Sequence, residues 1–388
     1  MPGARRPLYI EAGAIRRGYL GGIAHTVDGL VRGLLGNEEF SRRYELRLLV
    51  PGLSSNARLA AAYPGARLVR VPLPQRGYHR WFALGSMPPV DLLLGAGVYV
   101  FPNFANLPLR RSASLTVVND VVFAQHPDTV EATTRRWLAG NMRRWLSRTD
   151  LIVTPSEFTK REIETLFRPA ARIEVIPWGI DHKAFHPLPA DNVARVRRRY
   201  ALPESYVLYV GNFEPRKNLE RLVRAYASLS PAARDAHPLV LAGGGGWHRA
   251  PIDATVAEMR GQGVRIIEPA AYVEDADLPA LYCGAVALAH PSLYEGFGLS
   301  LLQAMACGTP LIASKGSSID ELVGPAALRV DPWDERDIAR ALAEMLASEQ
   351  RRTELAEQGM QRAAAYSWQH TAGLMFRLVE GVATAGTG

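Results

Sequence analysis

Short apolar runs alternate with amphipathic stretches along most of this chain. In the first half, runs rich in leucine and β-branched residues predict strands at 8–12, 45–50, 98–103, 114–120, 151–156 and 173–178. Helical stretches separate most of these runs, as residues 23–36 illustrate. Strands that alternate with helices are the pattern of a parallel sheet covered by helices on both faces.

The same pattern begins again in the second half. Apolar runs predict strands at 206–211, 238–245, 264–270, 285–292 and 309–314. A helix is predicted over 218–230, and further helices separate the later strands. Residues 177–189, between the two series, are rich in Pro, His and Gly and show no periodicity, which is typical of a linker.

Two strand–helix series joined by a linker predict an α/β protein of two Rossmann-like, doubly wound domains that face a cleft. We place the first domain at 1–178, the linker at 179–189 and the second domain at 190–367. A C-terminal helix at about 368–388 is expected to pack back on the first domain. The length of 388 residues fits this division, since a domain averages about 150 residues.

Composition is that of a globular protein and excludes some classes. The chain is 48% apolar and 21% charged, which is ordinary. Cys283 and Cys307 have neither metal-ligand spacing nor the framework of a disulfide-rich protein, so we expect a reducing compartment. The first residues lack the apolar core of a signal peptide, and the longest apolar runs fall short of the ~18–20 residues of a membrane span. We therefore expect a soluble or peripheral protein.

Charge is divided unevenly along the chain, whose net charge is +7. Residues 1–180 carry 24 basic and 14 acidic side chains, whereas the remaining residues carry 21 basic and 24 acidic ones. A basic half suggests an anionic partner, either nucleic acid or an anionic membrane surface. A solvated, arginine-rich surface explains the same charge without a partner, and the sequence leaves these interpretations open.

Residues 133–150 give the membrane hypothesis a local form. Arginines flank a set of apolar side chains at helical spacing, namely Trp137, Leu138, Met142, Trp145 and Leu146. An interfacial helix has this composition, with aromatic side chains among the headgroups and arginines on anionic lipid. A helix packed into the core of the first domain, with a basic outer face, has it as well.

Candidate chemistry is concentrated where predicted strands end and helices begin, which is where open α/β sheets bind ligands. Gly21 and Gly22 precede a helix that begins near Ile23, and four glycines at 243–246 follow a strand. Bare glycine backbone lets an anion approach the free N–H groups of a helix. We favour a tight turn with positive φ for the first pair. A flexible turn is favoured for 243–246, which has neither a P-loop nor a dinucleotide fingerprint.

A third place of this kind holds two adjacent cations. A strand ends at Gly211, and Arg216 and Lys217 then precede a helix that Asn218 is expected to cap. Cations are unfavourable beside the positive end of a helix dipole, so an anion is expected between them. A guanidinium fork and a mobile ammonium both suit phosphate oxygens. Two solvated surface bases are the alternative.

The fourth place holds a carboxylate. The helix after strand 285–292 is predicted to begin near Leu299, so the N–H groups of Gly298 and Leu299 would face a phosphate. Glu295 precedes them and has no obvious cationic partner in the sequence. A carboxylate beside a reacting sugar would stabilise positive charge at the anomeric carbon. Gln303, about one turn into the helix, could hydrogen-bond a hydroxyl.

Taken in order, these stretches resemble the retaining, nucleotide-sugar-dependent glycosyltransferases of family 4, the group 1 enzymes with the GT-B fold. The resemblance rests on "TPSEFTKREI" (154–163), "VIPWGID" (175–181), "VGNFEPRKNL" (210–219) and "EGFGLSLLQAMACGTPLIAS" (295–314). It covers nearly the whole chain in the expected order. As a set, the motifs are specific for the family but not for a substrate.

The resemblance implies roles for residues of the second half. Arg216 and Lys217 would bind the donor diphosphate. Glu295 would be the first acid of the family signature, near the donor sugar. Gly298 and Leu299 would supply backbone donors to phosphate or sugar.

Further donor-side positions follow from the same resemblance. Gly296 and Phe297 belong to the same donor-binding stretch. The backbone of Tyr272 and Val273 matches the segment that usually contacts the base. Gln303 stands at the second acid position, which usually holds the nucleotide ribose. The family usually has Glu there; an amide can still bond a ribose hydroxyl but adds no charge, which puts donor affinity in doubt.

In the first half, Gly21 and Gly22 match the glycine-rich first loop of the family. Asn119 and Asp120 stand where the family often has His-Asp, and both are catalytic candidates. Asn119 is a departure, because it cannot titrate near neutral pH and is limited to hydrogen bonding.

The implied activity is transfer, with retention, of a hexose-like sugar from a UDP- or GDP-linked donor to a saccharide or lipid-linked acceptor. A mannosyltransferase-like enzyme of surface polysaccharide, lipopolysaccharide or glycolipid synthesis fits the resemblance. We expect the nucleotide sugar to be a substrate, with no cofactor and no nucleic acid partner. No metal is expected either, since no ligand spacing such as Asp-x-Asp stands out in a suitable loop.

No general base stands out, which suits retaining transfer because the departing phosphate can take the acceptor proton. We expect a cytoplasmic protein, peripheral at the inner face of an anionic membrane. Two alternatives stay open: a non-catalytic sugar-nucleotide-binding member of the fold, and a GT-B epimerase or hydrolase.

Overall fold

The protein divides into two compact units. The computed structural model describes residues 5–17, 21–52, 57–71, 73, 77, 81–82, 88–269 and 271–385. The first unit comprises Met1–Val121, Arg136–Gly179 and Tyr366–Gly388, and the second comprises Val122–Arg135 and Ile180–Ala365. The main division thus falls between Gly179 and Ile180, next to the predicted boundary at 178. The segment 122–135 belongs to the second unit, whereas the sequence placed it in the first domain.

The described part of the first unit is built on a parallel sheet of seven strands. They are β1 Arg6–Glu11, β2 Tyr44–Pro51, β3 Arg67–Val71, β4 Val98–Phe101, β5 Ala113–Val117, β6 Leu151–Thr154 and β7 Arg172–Val175. Their order is β3-β2-β1-β4-β5-β6-β7, which is doubly wound about β1 and β4. Strand β3 was not predicted, because this edge strand mixes arginines with apolar residues and is only partly buried.

Helices connect these strands, as the alternating pattern predicts. Up to Gly179 they are α1 Gly22–Leu35, α2 Glu38–Arg43, α3 Ala57–Ala62, α4 Val90–Leu94, α5 Val122–Gln125, α6 Ala132–Ser147 and α7 Glu157–Phe167. Helix α1 begins one residue before the predicted start and buries one apolar face. Strands β4 and β6 are buried throughout, as central strands covered on both faces should be.

The second unit has its own parallel sheet of six strands among the described residues. They are β8 Val207–Val210, β9 Leu239–Ala242, β10 Ile266–Ile267, β11 Ala287–His290, β12 Leu311–Ser314 and β13 Ala327–Val330. Their order, β10-β9-β8-β11-β12-β13, reverses direction between β8 and β11. Ligands bind at such a switch point in doubly wound sheets. Strand β13, a run of four residues, was not predicted.

The helices of the second unit pack against both faces of this sheet. They are α8 Ala190–Arg199, α9 Leu219–Ala227, α10 Pro231–Ala236, α11 Ala250–Gly261, α12 Leu278–Cys283, α13 Leu299–Ala306, α14 Ile319–Val323, α15 Glu335–Ala347 and α16 Glu349–Ala363. One continuous core joins β8, β9 and β11 with α9, α11 and α15. Helix α13 begins at Leu299, where the sequence predicted it.

The last helix, α17 Trp368–Ala385, belongs to the first unit. Its Trp368 packs against Trp178 with ring centroids 6.1 Å apart, and Thr371 Oγ1 donates to the carbonyl of Pro177 at 2.7 Å. Helix α1 meets it closely, since a Cβ at Gly29 would lie 2.1 Å from the Trp368 ring. Glycine at position 29 therefore lets the two helices touch.

The apolar side chains of helix α6 were interpreted either as a membrane-facing surface or as part of the protein core, and the structure distinguishes the two. Leu138, Met142, Trp145 and Leu146 are buried in the protein, and Trp137 packs edge-on against Trp145 with centroids 4.7 Å apart. The interfacial interpretation is therefore wrong for this apolar face, which is core. Among the described residues, no helix combines the length and the apolar character that crossing a bilayer requires.

Candidate active site

Two neighbouring strands bring the predicted donor-binding loops together. Strands β8 and β11 pair in parallel, with Val207 opposite Ala287, so their carboxyl ends lie at the same edge. A 3₁₀ turn, Pro215–Lys217, follows β8 and carries both candidate cations. The backbone N–H of Leu293 donates to the carbonyl of Arg216 at 2.8 Å and joins the two loops.

Glu295 forms ion pairs with both cations of the neighbouring loop. Lys217 Nζ donates to Glu295 Oε1 at 2.6 Å, and Arg216 Nη1 donates to Glu295 Oε2 at 2.9 Å. The expectation that Glu295 lacks a cationic partner is therefore wrong. The partners lie almost 80 residues away in sequence, where only the pairing of β8 with β11 brings them into contact.

These contacts set the charge of the site. Burial alone would raise the pKa of Glu295, but Lys217, Arg216 and a hydrogen bond from His290 outweigh it and hold that pKa well below its usual range. Burial, together with the nearby guanidinium, lowers the pKa of Lys217, while Glu295 opposes that effect. Charge–charge attraction therefore keeps the carboxylate ionised despite its burial.

Arg216 has two further hydrogen-bond partners. Its Nε donates to Glu214 Oε2 at 3.0 Å, and its Nη1 also donates to the carbonyl of Tyr294 at 3.1 Å. The sequence led us to expect an external anion between the two cations. In the structure an internal anion, Glu295, contacts both cations, and Glu214 contacts Arg216 alone.

Asn218 stands at the start of α9 but does not cap it. Its backbone is left-handed, with φ of 62°, and its side chain makes no cap hydrogen bond. Its Nδ2 instead donates to the carbonyls of Pro291 and Pro332, at 3.0 and 2.7 Å. The capping prediction is wrong, because this side chain ties the cation loop to two other loops.

His290 is a member of the site that the sequence analysis did not identify. It is the last residue of β11, is fully buried, and places Nε2 2.9 Å from Glu295 Oε1. Burial lowers the pKa of His290, so the ring is neutral, and we assign the proton to Nε2, which then donates to the carboxylate. A titratable residue at the end of an otherwise apolar strand was the available signal.

The turn into α13 requires glycine at position 298. Gly298 has φ of 101°, and a Cβ there would lie 3.1 Å from a Leu301 methyl and 3.2 Å from a Leu322 methyl. The first N–H groups of a helix lack intrahelical partners, so the start of α13 offers donors. Ser318 Oγ donates to the carbonyl of Glu295 at 2.8 Å and holds the preceding loop.

The remaining residues that were predicted to bind the donor differ in how far they are buried. Gln303 is buried in α13, and its Oε1 accepts a hydrogen bond from Tyr282 Oη at 3.1 Å. We expected this side chain to meet a ribose, but its oxygen already has a protein partner. Tyr272 is half exposed and Val273 is buried. Phe297 is buried within the same loop as Glu295.

The four glycines after β9 serve close packing at two positions. A Cβ at Gly243 would lie 1.9 Å from the carbonyl oxygen of Gly211, and one at Gly246 would lie 2.3 Å from that of Phe213. The flexible-turn interpretation is therefore wrong at these two positions, where the loop is pressed against the loop after β8. A Cβ at the intervening 244–245 would meet nothing within 4 Å.

The candidates of the first unit are described by themselves. Gly21 has φ of −70°, and a Cβ at Gly22 would meet nothing within 4 Å. The expected turn with positive φ is therefore wrong for Gly21, and open space lies beside Gly22 at the start of α1. Asn119 and Asp120 follow β5 and are half-buried; Asn119 Nδ2 donates to the carbonyl of Pro102 at 3.1 Å.

Two Rossmann-like units in one chain are the architecture of the GT-B fold, and solved structures share this fold. Sucrose-phosphate synthase from Thermosynechococcus elongatus matches with a TM-score of 0.76 and 22% identity, over 98% of this chain and 100% of that one. WaaG, a glycosyltransferase involved in lipopolysaccharide biosynthesis, matches with a TM-score of 0.73 and 16% identity, over 97% of this chain and 99% of that one. HepE from Anabaena, in complex with UDP and glucose, matches with a TM-score of 0.70 and 14% identity, over 97% of this chain and 100% of that one.

Sequence comparisons identify the family. Residues 20–184 match Glycosyltransferase Family 4, and residues 194–362 match Glycosyl transferases group 1. O-antigen chain mannosyltransferase B of Escherichia coli is 33% identical over 276 residues, which are 70% of this chain and 71% of that protein. MMP alpha-(1->4)-mannosyltransferase of Mycolicibacterium hassiacum is 29% identical over 65% of this chain and 62% of that protein. The chain belongs to the family 4, group 1 glycosyltransferases.

Proposed function

We propose that this glycosyltransferase moves a hexose, with retention of configuration, from a UDP- or GDP-linked donor to a saccharide or lipid-linked acceptor. Surface polysaccharide or lipopolysaccharide synthesis is the setting, in keeping with the names of its relatives. Mannose is the sugar to test first, because several relatives are named mannosyltransferases. The observation that supports the proposal most is the contact of Arg216 and Lys217 with Glu295 at the switch point of the second sheet.

The two cations are proposed to bind the donor diphosphate. Arg216 offers a planar fork for two phosphate oxygens, and Lys217 offers a compact charge. Both contact the Glu295 carboxylate in the structure, and this contact with anionic oxygens supports the proposal. The start of α13, with the glycine turn before it, adds backbone donors and the positive end of a helix dipole.

Glu295 is proposed to act on the transition state. Its pKa is held well below the usual range, so it carries a full negative charge at neutral pH. A fixed carboxylate next to the donor sugar would stabilise the positive charge that develops at the anomeric carbon. The acceptor hydroxyl would attack from the side that the phosphate leaves, and the departing phosphate oxygen would take its proton.

A donor panel tests the proposal. The protein would be incubated with UDP- and GDP-linked hexoses, a saccharide acceptor and a lipid-linked acceptor, and the released nucleotide would be measured. We expect release that depends on both donor and acceptor, and a product whose anomeric configuration by NMR equals that of the donor. Nucleotide binding without release would support the non-catalytic alternative. Release without acceptor would indicate a hydrolase, and an inverted product would refute retention.

A further inference from the structure

We propose that His290 is a positioning residue, which holds the Glu295 carboxylate in place when Arg216 and Lys217 turn to the donor diphosphate. This inference rests on the proposed function and extends it to a residue outside the donor-binding motifs. Arg216, Lys217 and His290 all contact the carboxylate of Glu295, and the inference depends on which of these three side chains can move.

The carboxylate of Glu295 receives two kinds of donor. Lys217 and Arg216 are cations and come from the turn after β8. His290 is neutral and comes from the end of β11, the strand that leads directly to Glu295. Lys217 Nζ and His290 Nε2 share the same oxygen, Oε1, at 2.6 and 2.9 Å. If both cations turn to phosphate, His290 is the side-chain donor that remains to Glu295 among the described residues.

His290 is held more firmly than the two cations. Its ring is fully buried and stacks on Tyr209, with centroids 6.1 Å apart and planes 10° from parallel. Tyr209 is itself fixed, because its Oη donates to the carbonyl of Asn212 at 2.8 Å. Arg216 and Lys217 retain 18% and 11% exposure of their side chains and lie on a turn. A diphosphate can therefore reorient the cations, whereas the imidazole stays where it is.

The other ring nitrogen supports this role for His290. Within the described residues, Nδ1 of His290 is buried and makes no hydrogen bond. A buried acceptor without a partner costs stability, and an apolar ring would stack on Tyr209 without that cost. Among the described residues, the polar atoms of the imidazole are thus accounted for by one hydrogen bond, from Nε2 to Glu295.

A neutral donor also suits the chemistry of Glu295. A cation in the place of His290 would offset the carboxylate charge that the transition state needs. The neutral ring orients Oε1 and leaves that charge intact. The groups that face the ring are Tyr209, Lys217, Arg216 and Glu295, and burial lowers the pKa of His290 despite the carboxylate. The ring is therefore neutral at neutral pH.

Two substitutions at His290 separate hydrogen bonding from packing. In His290→Gln, the amide Nε2 can replace the ring Nε2 as a donor to Glu295. In His290→Phe, a ring still stacks on Tyr209 but donates nothing. We expect His290→Gln to keep kcat within a few-fold, and His290→Phe to lose about tenfold, the value of one hydrogen bond. The Kd for UDP and GDP, measured by calorimetry, should be unchanged in both.

A second background tests whether His290 acts through Glu295. Combined with Glu295→Gln, the His290→Phe change should cost little further activity, because residues that act as a unit are not additive. Thermal unfolding would verify that each variant is folded. Equal losses in His290→Gln and His290→Phe, a parallel loss of nucleotide affinity, or additive effects in the double variant would overturn the inference. Absence of wild-type turnover with every donor would instead refute the proposed function, and this inference with it.

Discussion

Glu295→Gln is predicted to strengthen nucleoside diphosphate binding while it lowers kcat. The change replaces a carboxylate by an amide of the same shape and removes one negative charge. In the free protein this charge holds Lys217 at 2.6 Å and Arg216 at 2.9 Å, the same cations that a diphosphate would use. Glu295 therefore competes with the donor for its binding groups and also repels it.

The expected size of the effect follows from Coulomb's law. A phosphate charge that draws the two cations away from Glu295 would lie roughly 6 Å from the carboxylate, which stays in place. Two unit charges at that distance interact by about 3 kcal/mol at an effective dielectric constant of 20. Removing this repulsion would tighten binding up to about a hundredfold. Because solvent reaches Arg216 and weakens the repulsion, we expect a gain of about tenfold or more.

The assay is calorimetry with UDP and GDP, combined with turnover on the active donor. Glu295→Gln leaves two cations without their carboxylate, which costs about 3–5 kcal/mol of stability, so thermal unfolding must be measured first. Added nucleotide should raise the Tm of this variant more than that of the wild type. Glu220→Gln is the matched control, since Glu220 pairs with Arg224 at 3.7 Å on the surface of α9. A folded variant with unchanged or weaker nucleotide affinity would refute the competition.

Three further predictions concern single side chains. Lys217→Ala should weaken nucleoside diphosphate binding in calorimetry about tenfold or more, because a charged hydrogen bond contributes roughly 1.5–3 kcal/mol. Gln303→Glu should retain turnover in the donor assay, since a carboxylate oxygen can still accept from Tyr282 Oη. A hydrogen bond with the Cys307 thiol lowers the pKa of Cys283 to about 7, so its alkylation by iodoacetamide should rise through pH 7 and level off above it.

Each of these predictions has a result that would contradict it, and the first has a control within the chain. Lys183→Ala removes an exposed lysine and should leave nucleotide affinity unaltered. If Lys217→Ala also binds nucleotide as tightly as the wild type, Lys217 does not belong to the site. Complete loss of turnover in Gln303→Glu would mean that the amide nitrogen has a role of its own. For Cys283, an alkylation rate that rises only near the ordinary thiol pKa would contradict the contact with Cys307.

Local pattern was enough to predict much of the fold and the positions of the site loops. Helix α13 begins at Leu299 as expected, because a strand, a glycine turn and an apolar helix follow each other within a few residues. The pairing of Glu295 with Arg216 could not be predicted, since it depends on β8 lying beside β11 rather than on any spacing in the chain. Local rules also failed at Asn218, where two distant carbonyls compete successfully for its side chain.

The position of α17 has a consequence for synthesis on the ribosome. The first unit needs this helix, yet its residues are translated after the whole second unit. At about 5–20 residues per second, residues 180–385 take on the order of 10–40 s to emerge. During that interval the face of α1 around Gly29 has no Trp368 to cover it. The second unit can complete its core first, whereas the core of the first unit is completed only when α17 arrives.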